Sequence, residues 1–356
     1  MKNVRKHASL ALAGIIAATA VAMTAADAAD KKVTFILSDQ MRVPYYWLYL
    51  PKILGYWEQE GLEVDVQPVG GSLEALQQVM AGNADFGQMG ALSVVQASAK
   101  GMPMQVVMMN GTFQWKLGIP ADSSIKSVSE LKGKSIGVFS ASTNGNDFLK
   151  AYLREQGLDP ETDVTLLPVG AGSSAIEALR QGEVAALYYW PSAFVSYEDQ
   201  GLSFKYYQAP SWGGYPDYSV AASKAAIDAD PAKTEALIRG MVKATVFAEA
   251  NPDCAVKVFW KSYPDAIPTG VSEEKALKSD TRMLVAQLEE GNAAAETLGE
   301  VTSSQMGSLQ DFMLSAKMVG AKNDPASLVV STPDFFSKVN TFDKDAVKAA
   351  AKECKV

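Results

Sequence analysis

Apolar and polar positions along this chain switch repeatedly between a period of two and a period of about 3.6, which predicts strands alternating with helices. Residues 33–37 form an apolar run that stops at Ser38-Asp39, the pattern of a buried strand. Residues 44–59 carry a helical period, and Leu62, Val64 and Val66 alternate as a strand. A short amphipathic helix follows, with Leu73, Leu76, Val79 and Met80 expected on its inner face. Then come a strand at 85–88, a helix at 91–100 and an interior strand at 104–109. A second run repeats this order: a helical turn at 128–131, a strand at 135–139, a helix at 147–156 and a strand at 164–168. Its short helix turns Ile176 and Leu179 inward, before a strand at 185–189. Residues 219–222 read as one more strand. Residues 231–251 and most of the chain beyond them read as helix, broken at Pro252, Pro264, Pro268 and Gly270. Strands alternating with helices in this way predict the α/β class with mostly parallel sheets.

The two runs share a phrase. Pro68-Val69-Gly70 precedes Gly71-Ser72 and one short helix, and Pro168-Val169-Gly170 precedes Ala171-Gly172-Ser173-Ser174 and another. Glycine permits close backbone approach and serine suits a helix start, so each copy aims free N–H groups and a partial positive charge outward. Two such units imply two similar α/β lobes with a ligand between them. The expected division is residues 29–118 plus 223–356 for one lobe and 119–222 for the other. Two crossings, near Ile119-Pro120 and Ser219-Val220, would form a hinge.

Charge and composition narrow the function. Residues 1–28 read as an export leader, with Lys2, Arg5 and Lys6, an apolar stretch, and Ala26-Asp27-Ala28 as the cleavage site. The net charge is −8, which argues against nucleic acid as a partner. The single histidine, His7, lies in the leader. Histidine acid–base catalysis, Ser-His-Asp triads and histidine-ligated metals are therefore not expected; nor are a cofactor or any catalytic residue. Two cysteines in an exported chain, Cys254 and Cys354, most simply form one disulfide that pins the last helix; the alternative is two buried thiols.

Three stretches resemble a known pattern. Gly55-Tyr56-Trp57-Glu58-Gln59-Glu60-Gly61-Leu62-Glu63-Val64, Ala81-Gly82-Asn83-Ala84-Asp85-Phe86-Gly87 and Glu130-Leu131-Lys132-Gly133-Lys134-Ser135-Ile136-Gly137-Val138 are similar to motifs of periplasmic solute-binding proteins. The branch is the one that serves nitrate, sulfonates, taurine and thiamine-pyrimidine precursors. The resemblance covers residues 33–250 in the correct order. It implies a type II periplasmic-binding fold, two α/β lobes joined by a two-strand hinge, with a ligand in the cleft. It also implies a periplasmic, monomeric protein that hands its solute to the permease of an ABC importer. A sensory role beside a membrane receptor is the alternative, followed by an enzyme on the same scaffold. The pyrimidine-making enzymes of that scaffold depend on a histidine that the chain lacks beyond its leader.

Ligands of open α/β sheets lie beyond the C-terminal strand ends, at helix N-termini. That rule selects Ser38, Asp39, Arg42, Tyr46 and Trp47 from the first loop, then Gly71, Ser72, Gly90 and Thr112. From the second lobe it selects Ser140, Thr143, Asn144, Tyr189 and Trp190. Tyr46, Trp47, Tyr189 and Trp190 would sandwich a flat body. Asp39 would meet an amine or ring N–H, and Arg42 would clamp a carboxylate or sulfonate. The expected ligand is a small aromatic or heterocyclic molecule, with or without an acidic group.

Overall fold

Two five-stranded sheets of the same topology carry the chain, described by this computed structural model over residues 31–292 and 297–355. The expected leader, with His7, lies outside the described residues. The first sheet begins with β1 (Lys31–Leu37), α1 (Tyr46–Ile53), β2 (Leu62–Pro68), α2 (Ser72–Met80) and β3 (Phe86–Met89), whose strands run parallel in the order β2-β1-β3. After α3 (Ala91–Ala99) comes β4 (Met104–Thr112), buried along its whole length. The chain then crosses to the second sheet as β5 (Lys116–Pro120), followed by β6 (Lys134–Val138), α4 (Gly145–Glu155), β7 (Val164–Pro168) and α5 (Ser173–Arg180). There β8 (Ala186–Tyr189), α6 (Pro191–Asp199) and β9 (Phe204–Tyr207) complete the half, and β10 (Pro216–Ser223) returns to the first sheet.

The sheet orders are β2-β1-β3-β10-β4 and β7-β6-β8-β5-β9. In each, the fourth strand runs antiparallel to both neighbours, and it is the strand that has just arrived from the other half. This moves the crossings from the positions expected from sequence. β5 pairs with β8 and β9, so the first crossing is at residues 113–115 rather than near Ile119. β10 pairs with β3 and β4 along its length, so the second lies at 208–215 rather than near Ser219. Strand membership is a long-range property, and neither β5 nor β9 carries a strong local strand pattern.

The rest is helical and packs on the first sheet and beside the second: α7 (Lys224–Ala229), α8 (Pro231–Ala250), α9 (Pro252–Ser262), α10 (Glu273–Asn292), α11 (Ser303–Ser315), α12 (Phe335–Val339) and α13 (Lys344–Glu353). Proline at the first position with an Asp or Asn cap starts two of them: Asp230 accepts from Lys233 N and Asn251 from Cys254 N. A reciprocal Thr302–Gln305 capping box starts α11. Helix α8 is buried on most of its surface, holding α1 on one side and α13 on another. Helix α10 reaches the second half and packs on α6, where Arg282 pairs with Asp199. Among the described residues, no helix is long and apolar enough to cross a membrane.

Local differences from expectation have simple causes. The helix predicted over 44–59 ends at Ile53, since Gly55 takes φ +71° and turns the chain. In α2, Leu76 and Val79 are buried as expected, but Leu73 and Met80 are exposed because they flank the buried stripe. Cys254 and Cys354 form a disulfide; Cys254 lies within α9, while Cys354 sits just after α13 rather than on it. The bond closes a loop of 100 residues. Cys354→Ser, or reduction, is expected to cost roughly 2–5 kcal/mol of stability by freeing the unfolded chain. Thermal unfolding with and without reductant measures this, and an unchanged midpoint would contradict it.

Candidate functional site

The C-terminal strand ends of the two sheets face each other, and the turns that follow them interlock. Ser140 and Ser142 donate to the carbonyl of Gly70, at 2.7 and 3.1 Å. Leu73 N donates to the Ser142 carbonyl at 3.2 Å, and Ser72 Oγ bonds Asn144 Oδ1 at 3.1 Å. Gly90 N in turn donates to Ser72 Oγ at 3.3 Å. The approach demands glycine at two places. A Cβ on Gly71 would lie 2.8 Å from the Ser142 carbonyl carbon, and one on Gly90 would lie 1.7 Å from Asn144 Nδ2.

Behind these turns lies an inner cavity of about 30 Å³, the room of a single water. Five aromatic residues line it: Tyr45, Trp115, Phe139, Trp190 and Tyr218. Polar groups come from Ser38, Asp39, Ser72, Gln88, Thr143, Asn144 and Asp217. No lysine or arginine is among them. Ser38 Oγ donates to Gln88 Oε1, which fixes the end of β1 against β3. Asp39 accepts from Gln40 N at 2.6 Å and from Tyr45 OH at 3.0 Å, and lies 3.4 Å from Arg42 Nε. Burial raises its carboxyl above the usual range, against the pull of the Arg42 charge.

Asp217 sits at the start of β10, where Trp115 Nε1 donates to it at 3.1 Å across the chain crossing. Burial pushes its carboxyl up to about 7, against hydrogen bonds from Tyr218 N, Trp115 and Asn144. Next to it, Tyr218 holds a left-handed backbone at φ +46°, which costs energy for a residue with a side chain. Glu290 of α10 is buried with neither oxygen hydrogen-bonded. Burial, reinforced by the Asp217 charge, drives it well above the ordinary carboxylate range. Among the described residues, no group of His, Cys, Asp or Glu is arranged to hold a metal ion.

The structure brings together Ser38, Asp39, Ser72, Thr143, Asn144 and Trp190 around the inner cavity, with Gly71, Gly90 and Ser140 at the interlocking turns. Arg42 points instead into a wider groove. Tyr46, Trp47, Thr112 and Tyr189 do not line the cavity. Tyr46 is buried in α1 and donates to Asn110 at 3.2 Å, and Trp47 packs edge-on against Phe35 and Tyr45. Thr112 accepts from Gln114 at 3.0 Å at the end of β4. Tyr189 donates to the Gly170 carbonyl, with its ring against Tyr197 and Phe194. A strand turns successive side chains to opposite faces, and a helix turns them by 100°, so the neighbours Tyr45 and Trp190 reach the cavity instead.

Sequence reasoning missed Gln88, Phe139, Asp217 and Tyr218. Phe139 carried a signal, because it follows the end of β6 as Ser38 follows the end of β1. Asp217 and Tyr218 carried none, since they depend on where the second crossing falls.

Two larger grooves flank the cavity along the line between the halves. One of about 530 Å³ runs between α3 and α4, past Leu73, Gln96, Asp147 and Lys150. The other, of about 940 Å³, lies between α6 and α10 and reaches Arg42, Gly172 and Ser192. Trp190 lines both this groove and the inner cavity and so forms the wall between them.

Known proteins resemble this chain in sequence and in fold. The model of the family described as NMT1/THI5 like matches residues 45–255. The riboflavin-binding protein RibY of Chloroflexus aurantiacus is 25% identical over 256 residues, covering 69% of this chain and 72% of the relative. A protein of known structure from Bordetella bronchiseptica RB50 is 22% identical with a TM-score of 0.68, over 88% of this chain and 98% of its own. The alkanesulfonate-binding protein SsuA from Xanthomonas axonopodis pv. citri, bound to MOPS, gives 16% identity and a TM-score of 0.63, over 84% of this chain and 98% of its own. The fold is therefore the periplasmic-binding fold expected from the motifs, and this chain belongs to the NMT1/THI5-like family.

Proposed function

We propose that this chain is the periplasmic binding component of an ABC importer, a monomer that takes a small organic solute between two lobes. The lobes are residues 31–112 with 216–292 and 297–355, and residues 116–207, hinged at the two crossings. One observation carries the reading. Opposite turns meet over an aromatic-lined cavity through a handful of hydrogen bonds and two bare glycines, so these turns can part without losing buried apolar contact, which between the halves lies elsewhere, at α6–α10 and Phe148–Phe312. Such contacts are individually worth about 1 kcal/mol, the scale of an equilibrium that a ligand can shift.

Once the turns part, the lining of the inner cavity suits a flat body that stacks on Trp115 and Trp190 and donates hydrogen bonds to Asp39 and Asp217. RibY and SsuA, which are named for binding riboflavin and alkanesulfonates, support capture of an organic solute as the common task. An enzymatic reading lacks a specific observation here. The buried carboxyls are spread over β10, α10 and the first loop, and among the described residues the cavity lining holds no histidine, lysine or cysteine.

Native mass spectrometry of protein purified without denaturation tests the proposal. A stoichiometric organic adduct that leaves on unfolding is expected, and its intact mass should be unchanged after incubation. Protein that stays bare and shows no tryptophan fluorescence change with any organic solute would contradict it.

A further inference from the structure

Rings that meet at steep angles wall the inner cavity. Trp190 lies 5.2 Å from Trp115 at an interplanar angle of 59°, and 5.6 Å from Phe139 at 82°. Tyr45 and Tyr218 line the same space. A parallel pair of rings makes a slot, whereas rings set at these angles make the sides of a box. Aromatic faces carry partial negative charge, so a box of them favours a positively charged group.

Asp217 stands at one corner of the box and is wired for its ionised form. N–H groups of Tyr218, Trp115 and Asn144 all serve its carboxyl, which is 4% exposed. Three donors suit a carboxylate, which only accepts, better than a carboxylic acid, which must also donate. Yet the chain supplies no positive charge to match it. Among the described residues Asp217 forms no ion pair: Arg42 is held by Asp39, Lys116 acts on Glu290, and Glu290 is itself an acid. Tyr218 adds a strained backbone at the same corner. A buried, unbalanced carboxyl beside strain is a cost that persists where a binding site needs it.

The path into the box is acidic as well. Thr143 and Asn144 line both the inner cavity and the groove of about 530 Å³, and so form the wall between them. That groove carries Asp147 and Glu161 against a single cation, Lys150, which Glu161 holds at 3.0 Å. Asp147 is left with Gln96 at 3.4 Å and forms no ion pair among the described residues. Carboxylates along a channel raise the local concentration of cations, in keeping with a net charge of −8.

We propose that the box seats a positively charged end of the solute: a flat, delocalised cation bearing N–H groups, as an amidinium is. Its N–H groups reach Asp217, and its plane lies against Trp115 and Trp190 once the turns have parted to admit it. The cation supplies the charge that the wiring of Asp217 lacks. This rests on the receptor reading above and adds the sign of the solute's charge and the residue that reads it.

The test uses the full chain without its leader and three probes of one shape: cationic benzamidine, neutral benzamide and anionic benzoate. Calorimetry at low ionic strength and pH 8, where Asp217 is mostly ionised, compares them. Benzamidine should bind at least about tenfold tighter than benzamide, and benzoate more weakly than either. Asp217→Asn keeps the bond from Trp115, and should bring benzamidine to within about threefold of benzamide while moving benzamide itself less than about twofold. Phe139→Leu keeps an apolar wall but removes a ring face, and should weaken benzamidine at least about threefold with benzamide again nearly unmoved. Benzamide or benzoate binding as tightly as benzamidine, or benzamidine unaffected by either variant, would overturn the assignment. Failure of all three probes would also overturn it, as would a co-purified solute with no positive charge at pH 8, which leaves the receptor reading standing. Failure of the receptor reading shows separately, as the absence of any co-purified solute.

Discussion

Gly71→Ala is expected to hold the two halves apart. The new methyl would lie 2.6 Å from Ser142 Oγ and 2.8–2.9 Å from the Ser142 carbonyl carbon and oxygen. A side chain can rotate out of the way, but a backbone carbonyl cannot, so the clash is relieved only by separating the turns. The folded lobes are spared, because Gly71 has an extended backbone at φ 161°, which alanine adopts readily. The expected phenotype is a protein with a near-normal unfolding midpoint, an enlarged radius of gyration and at least tenfold weaker binding of its co-purified solute. A tenfold loss corresponds to about 1.4 kcal/mol, a modest part of such a clash. Gly90→Ala should act more weakly, since it meets the tip of Asn144, which can turn aside. Small-angle scattering and calorimetry read both variants; unchanged dimensions with unchanged affinity would contradict the expectation.

Asp217→Asn should make the protein more stable above neutrality and leave it nearly unchanged in acid. The folded carboxyl titrates at about 7, against 3.8 when unperturbed, so folding favours the protonated form. Its contribution is therefore fully present below about pH 4, declines as pH rises toward 7, and is lost above. Asn cannot ionise and still accepts from Trp115 Nε1, so it removes the decline. The expected gain at pH 8 is roughly 2–4 kcal/mol, with a gain near zero at pH 4. The groups around Asp217 reinforce the sign. Glu290 on α10 shares the same upward displacement, and Tyr45, Tyr188 and Tyr218 are all held neutral by burial. Arg42 and Lys116 are the nearby cations, acting on Tyr45 and Glu290 respectively. Urea unfolding at the two pH values measures the difference, and an equal gain at both would exclude Asp217 as the titrating group.

Much of the scaffold was legible in sequence because local periodicity writes it. Strands β2 and β7 fall within a residue of where alternation places them, and α8 begins at the Pro231 that capping chemistry selects. The repeated turn was legible for the same reason, since glycine and serine carry their geometry with them. What could not be read is pairing between distant segments. β5 carries no strand signal of its own until its partners are known, which displaced the first crossing, and β10 begins at Pro216 rather than at 219, which displaced the second. Side-chain direction failed at the same level. Tyr46 and Tyr45 are chemically equivalent in the sequence, and only the helical turn between them sends one to the core and the other to the cavity. The carboxyls Asp217 and Glu290 were invisible because burial, rather than residue type, makes them unusual.

One distance tests the clamp directly. Leu73 and Glu161 are exposed and lie on opposite walls of the groove between the halves, so cysteine-borne spin labels at these positions report its width. With the native disulfide intact and the protein stripped of solute by unfolding and refolding, the measured distribution should be broad and long. Adding back the solute recovered from the native protein should collapse it to a single shorter distance. A distribution that stays narrow and identical with and without that solute would mean that the halves form one rigid body and clamp nothing.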